Sequence, residues 1–183
     1  MNPSDRAADA AECEVIGRGQ YLRLLSRGTW EYVERISARG AVAIVALTPE
    51  GRLVLVEQLR PAVQQKVIEL PAGLVGDRLD DPDETLETAA HRELVEETGY
   101  RADSMECLGG GPASPGLSGE IIHFMRAGPL QRVGPGGGDD SETIQVHEVA
   151  LPELRAWLVQ KEREGCALDP KVYAGVFLAR LEC

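Results

Sequence analysis

The stretch "HRELVEETGY", residues 91–100, sets five ionisable side chains into seven positions: His91, Arg92, Glu93, Glu96 and Glu97, with Glu87 just upstream. On a helix, Glu93 neighbours both Glu96 and Glu97, and each like-charged pair costs roughly 0.2–0.5 kcal/mol. A face built at that cost needs something positive in front of it. The flanks support the helix. Asp81 suits an N-cap, Pro82 stands at the first position and Glu84 completes a capping-box spacing, which predicts a helix over 82–98. Gly99 ends it as a C-cap. Leu86, Ala90 and Leu94 recur every four residues as its buried stripe, with the glutamates rotated about 100° away.

Three carboxylates one turn apart can converge on a point just off the helix. A hard divalent cation, Mg²⁺ or Mn²⁺, is the natural occupant, because such ions take oxygen ligands and bridge carboxylates to phosphates. The plainer reading is a solvated acidic face steadied by the Arg92–Glu96 pair.

Outward from this helix the chain reads as strands. Residues 20–37 form two short strands around the turn Ser26-Arg27-Gly28, a separate N-terminal hairpin. "GAVAIVAL" (40–47) and "RLVLVEQLR" (52–60), joined by "TPEG", read as a core hairpin, and "KVIELPAG" (66–73) as a strand before an acidic loop. Residues 103–109, 120–126 and 143–149 read as strands, and 151–164 and 169–181 as helices. The glycine-rich "VGPGGGDDSE" (133–142) reads as a loop too flexible for a core element. The segments divide as a mobile tail at 1–13, an N-terminal β lobe at 14–38 and a main domain at 39–183.

Bulk properties narrow the partners. A chain of 183 residues with 43% hydrophobic content buries a sizeable core. A formal charge of −11 repels nucleic acid and anionic membranes, so neither is expected as a partner. No apolar run approaches the ~18–20 residues of a membrane span, and "MNPSDRAADAAECE" lacks the regions of a signal peptide. Cys13, Cys107, Cys166 and Cys183 are scattered without ligand or disulfide spacing. A cytoplasmic protein with free thiols is the expectation.

Glu84, seven residues, Arg92-Glu93, two residues, Glu96-Glu97, one residue, Gly99 and Tyr100 resemble the Nudix box of the Nudix hydrolase superfamily, G-x5-E-x7-R-E-U-x-E-E-x-G-U. Leu94 takes the first apolar place. Ten residues instead of five separate Gly73 from Glu84, so 74–83 looks like a five-residue insertion, which closure entropy tolerates. The resemblance implies an α+β Nudix fold: a mixed β-sheet sandwiched between α-helices, here with a small N-terminal β-hairpin lobe. It implies metal-dependent cleavage of a nucleoside diphosphate linked to another moiety. Carried over by position, Glu93, Glu96, Glu97 and the carbonyl of Ala72 are the metal ligands, while Arg92 and Glu84 hold the helix and its glutamates in place.

"ELPAG" (69–73), "VEQLRP" (56–61), "SPGLSGE" (114–120) and "SETIQVHEV" (141–149) resemble the ADP-ribose pyrophosphatase subgroup. That resemblance implies hydrolysis of a nucleoside diphosphate sugar, ADP-ribose to AMP and ribose 5-phosphate. Another nucleoside diphosphate sugar, such as GDP-mannose or a UDP-sugar, is the rival, and a non-catalytic nucleotide-binding module is the more distant one. Arg39 and Arg60 fall where the subgroup contacts the diphosphate, and a guanidinium fork suits phosphate oxygens; either also reads as a strand-end surface charge. Trp30 lies where adenine is stacked, although an aromatic residue there also reads as core. Glu120 closes the loop of the third motif, with Gly119 in the usual acidic place before it.

The subgroup's N-terminal strands cross to a partner subunit, which implies a homodimer. Its catalytic base sits on a loop matching "SETIQVH", which points to Glu142. The neighbouring glycines would let that loop swing over substrate. Loop carboxylates there also read as solvated turn residues.

Overall fold

The computed structural model describes residues 12–138 and 143–181. Thirteen strands and three α-helices follow in order: β1 Cys13–Arg18, β2 Leu22–Arg27, β3 Trp30–Arg35, β4 Gly40–Val45, β5 Arg52–Arg60, β6 Gln65–Glu69, β7 Ala72–Val75, α1 Leu86–Thr98, β8 Tyr100–Ala102, β9 Met105–Pro112, β10 Ile121–Ala127, β11 Leu130–Arg132, β12 Gln145–Ala150, α2 Leu154–Arg163, β13 Ala167–Leu168 and α3 Pro170–Leu178. Among the described residues no helix is long and apolar enough to cross a membrane.

Strand β4 is buried along its whole length, so its alternating side chains feed two cores. Val42 and Ile44 pack with Ala89, Ala90 and Leu94 of α1. Ala41, Ala43 and Val45 pack with Leu154 and Leu158 of α2 and Val172 of α3. Helices therefore cover both faces, as the expected sandwich requires. The strands form two mixed four-stranded sheets, β7-β4-β10-β9 and β12-β5-β6-β13. This corrects the expected core hairpin. β4 and β5 meet only near their turn, at Leu47 and Leu53, and then diverge: β4 pairs in parallel with β10, while β5 pairs with β12 and β6.

The N-terminal lobe has three strands, not two. β1 pairs antiparallel with β2, so the expected mobile tail at 1–13 already yields to a strand at Cys13; residues 1–11 lie outside the described residues. The lobe docks on its own chain where the Val33 N–H donates to the Leu117 carbonyl at 2.8 Å.

Helix α1 starts later than expected. Thr85, not Asp81, is its N-cap and accepts from the Thr88 N–H. Glu84 is withdrawn from capping because its carboxylate is buried against Arg92. Gly99 ends the helix at φ 71° with its N–H on the Val95 carbonyl, as expected. The glycine-rich segment also differs from the expected flexible loop. Its described part, 133–138, lies on the end of α1: Gly137 and Gly138 donate to the carbonyls of Glu97 and Glu96 at 2.8 and 3.1 Å. A Cβ on Gly136, which sits at φ 69°, would overlap the Thr98 backbone. There, glycine serves close approach.

Candidate active site

A cavity of about 830 Å³ is lined by α1, β7, the ends of β5 and β6, and the start of α3. That volume suits a small-molecule site. One wall is acidic, with Asp77, Glu93, Glu96 and Glu97 beside the Ala72–Gly73 backbone. The lining also carries Arg35, Arg60 and Lys171, each paired with a carboxylate: Glu120, Glu69 and Asp169 respectively.

The box residues form one network around Arg92. Its Nε and Nη2 donate to the two oxygens of Glu84 at 2.9 and 3.1 Å, and Nη2 also reaches the Leu74 carbonyl at 3.1 Å. Nη1 donates to Glu93 at 2.7 Å and to Glu96 at 3.3 Å. Glu84 also accepts from the Gly76 N–H at 3.2 Å. Burial works to raise the Glu84 carboxyl, but these hydrogen bonds outweigh it and hold the group below its ordinary value. The same pairing, Glu84 first, lifts Arg92 above its ordinary range. Arg92 thus ties α1 to the strand that precedes it.

The three glutamates do not converge as expected. Among the described residues no three carboxylates or other ligand side chains gather as a preformed metal group. Glu93 and Glu96 both accept from Arg92, and Glu97, only 3% exposed, accepts from the Ala72 N–H at 3.0 Å. Glu93 packs so closely on Gly73 that a Cβ there would overlap its carboxylate, which accounts for the box glycine. Burial pushes the Glu93 carboxyl up to about 7 against the pull of Arg92, with Glu96 and Asp77 adding repulsion.

This donor set fits a hard divalent cation. Every side-chain donor on the wall is a carboxylate oxygen, and one guanidinium answers Glu84, Glu93, Glu96 and Asp77 together. Among the described residues, a buried Asp77 oxygen has no hydrogen-bond partner. The wall is short of positive charge.

The substrate-side expectations divide. Arg60 lines the cavity, and its Nε and Nη2 grip Glu69 in a two-pronged pair at 2.6 and 2.9 Å. Glu120 lines it too, paired with Arg35. Arg39 is placed otherwise: it donates to the Glu84 carbonyl at 2.8 Å and stands 3.6 Å from Asp83, bracing the inserted loop outside the cavity lining. Trp30 is 58% exposed on the N-terminal sheet and does not line the cavity. Glu142 lies outside the described residues. Sequence reasoning missed Glu69, although "ELPAG" contains it, and it missed Arg35, Asp77 and Lys171, whose approach depends on tertiary packing.

Comparison with known proteins identifies the family and the fold. The family model of the NUDIX domain matches residues 37–167. The chain is 36% identical over 155 residues to the methanol dehydrogenase activator of Bacillus methanolicus, spanning 81% of each chain. It is 35% identical over 130 residues to the ADP-ribose pyrophosphatase of Bacillus subtilis, spanning 70% of this chain and 68% of that one. A solved structure described as an ADP compounds hydrolase shares the fold with a TM-score of 0.70 at 21% identity, covering 92% of this chain and 90% of that chain.

Proposed function

The chain belongs to the Nudix family, and from that premise we propose that it is a pyrophosphohydrolase of nucleoside diphosphate sugars that cleaves ADP-ribose to AMP and ribose 5-phosphate. The observation that carries this reading is the cavity's lining, in which the carboxylates of Glu93, Glu96 and Glu97 on α1 share a space of diphosphate-sugar size with Arg60 and Arg35.

On this reading Glu93, Glu96, Glu97 and the Ala72 carbonyl hold Mg²⁺ or Mn²⁺, which, when bound, neutralises diphosphate charge and acidifies the attacking water. Arg92 and Glu84 keep the ligand face of α1 in register with β7. Glu69 aims Arg60 at the diphosphate. Glu142 accepts the proton of the attacking water as general base, a role supported by the "SETIQVH" resemblance. The exposed Val15, Ile16, Tyr21, Leu22 and Trp30 of the N-terminal sheet support a homodimer in which Trp30 serves a partner's adenosine pocket. Sedimentation of a fully active monomer would remove the dimer from the account.

The deciding experiment is a turnover screen of ADP-ribose, UDP-glucose, GDP-mannose, NADH and coenzyme A with Mg²⁺ and with Mn²⁺. ADP-ribose is expected to give the highest kcat/KM. A GDP-mannose or UDP-sugar preference would keep the enzyme class and change the substrate; tight binding without turnover would leave a binding module.

A further inference from the structure

The lengthened segment between Gly73 and Glu84 brings Asp77 to the cavity. Gly76 makes this turn. It sits at φ 70°, and a Cβ there would stand 2.9 Å from the Pro82 carbonyl and 3.0 Å from Arg39 Nε. Its N–H is held by Glu84. The loop is thus fixed at Gly76, and the next residue faces the acidic wall. Asp77 is 35% exposed through part of its side chain, yet its Oδ1 is buried and, among the described residues, has no hydrogen-bond partner. Its nearest cation is Arg92 Nη2 at 3.8 Å, beyond hydrogen-bond reach and already given to Leu74 and Glu84. A buried acceptor left unsatisfied is costly and calls for a physical cause.

We propose that Asp77, on the lengthened segment between Gly73 and Glu84, is an additional carboxylate for the divalent cation of the acidic wall, accepting from the ion's bound water or ligating it directly. The proposal rests on the metal-dependent reading above. Mg²⁺ keeps several of its waters in protein sites, and a second carboxylate layer that takes their hydrogens strengthens binding, typically by 10–100-fold. Asp77 Oδ1 offers an acceptor of that kind beside Glu93 and Glu96. Asp80, on the same loop, is instead paired with Arg78 at the surface, which makes it the control.

The test is Mn²⁺ binding to the full chain without substrate, measured by electron paramagnetic resonance for wild type, Asp77→Asn and Asp80→Asn, with melting temperatures in chelator. Asp77→Asn is expected to weaken Mn²⁺ binding about tenfold, to melt in chelator at or slightly above the wild-type temperature, and to bind far less tightly than Asp80→Asn. An Asp77→Asn dissociation constant equal to wild type overturns the proposal. So does a melting loss in chelator with unchanged Mn²⁺ affinity, which would make Asp77 a structural partner of Arg92. A wild-type chain that binds no Mn²⁺ would instead bring down the metal-dependent reading itself.

Discussion

Glu57 and Glu93 are both withdrawn from water, yet they titrate in opposite directions. Glu57 is 4% exposed on β5, on the face away from Arg60 and Glu69 by strand alternation. It receives Lys66 at 2.8 Å, Lys161 of α2 at 2.9 Å and the His147 ring at 3.0 Å. Burial acts to raise its carboxyl, but these partners outweigh burial and hold it at about 2. Glu93 has a single guanidinium, shared with Glu84, Glu96 and Asp77, and burial wins. A carboxylate that serves the fold arrives with its own cations. On the proposed function, Glu93 is left short of them because its partner comes from solution.

The largest expected effect lies at the candidate base. Glu142→Gln is expected to lower kcat by roughly 10²–10⁴ with metal affinity kept, while Asp139→Asn and Asp140→Asn change little; steady-state kinetics on ADP-ribose checks this. Near-normal kcat in Glu142→Gln would move the role to Glu120 or Glu96. Next, Glu93→Gln or Glu97→Gln is expected to lower kcat by at least ~10² without loss of folding, read from kinetics alongside circular dichroism.

The other face should respond the opposite way. Glu57→Gln leaves Lys66 without its carboxylate partner and Lys161 with Glu164 alone, among the described residues. The downward displacement of Glu57 corresponds to at most about 3 kcal/mol, a melting loss of roughly 6–12 °C for a chain of this size, with kcat for ADP-ribose unchanged. A smaller effect sharpens the contrast. The His147 ring is also held below its ordinary value, by burial first. Glu57 and His147 therefore carry fewer protons in the fold than in the unfolded chain. The stability they lend is complete above the ordinary values of 6.5 and 4.5 and is lost as pH falls toward about 2. Melting temperatures between pH 7 and pH 3 should fall more gently in Glu57→Gln than in wild type.

Local signals were legible and non-local ones were not. The core of α1, its Gly99 cap and the spacing of Glu84, Arg92, Glu93, Glu96 and Glu97 depend on neighbours along one helix, so spacing alone exposes them. The helix starts later than its local signals indicate, because the Glu84–Arg92 ion pair overrides a capping preference worth about 1 kcal/mol. The partners of β4 and β5 depend on strands far along the chain, which a turn between them does not reveal. β8, β11 and β13 are too short to show a two-residue period. Gly136 reads as slack until Thr98 is seen against it, and Asp77 reads as loop surface until its Oδ1 is found turned inward.

The most direct measurement is the melting of Glu93→Gln beside Glu57→Gln in chelator, by calorimetry at neutral pH. Glu93→Gln is expected to melt at or slightly above the wild-type temperature, since like-charge repulsion on α1 is relieved, and Glu57→Gln well below it. A Glu93→Gln chain that falls as far as Glu57→Gln would contradict it, and would make the acidic face of α1 part of the scaffold.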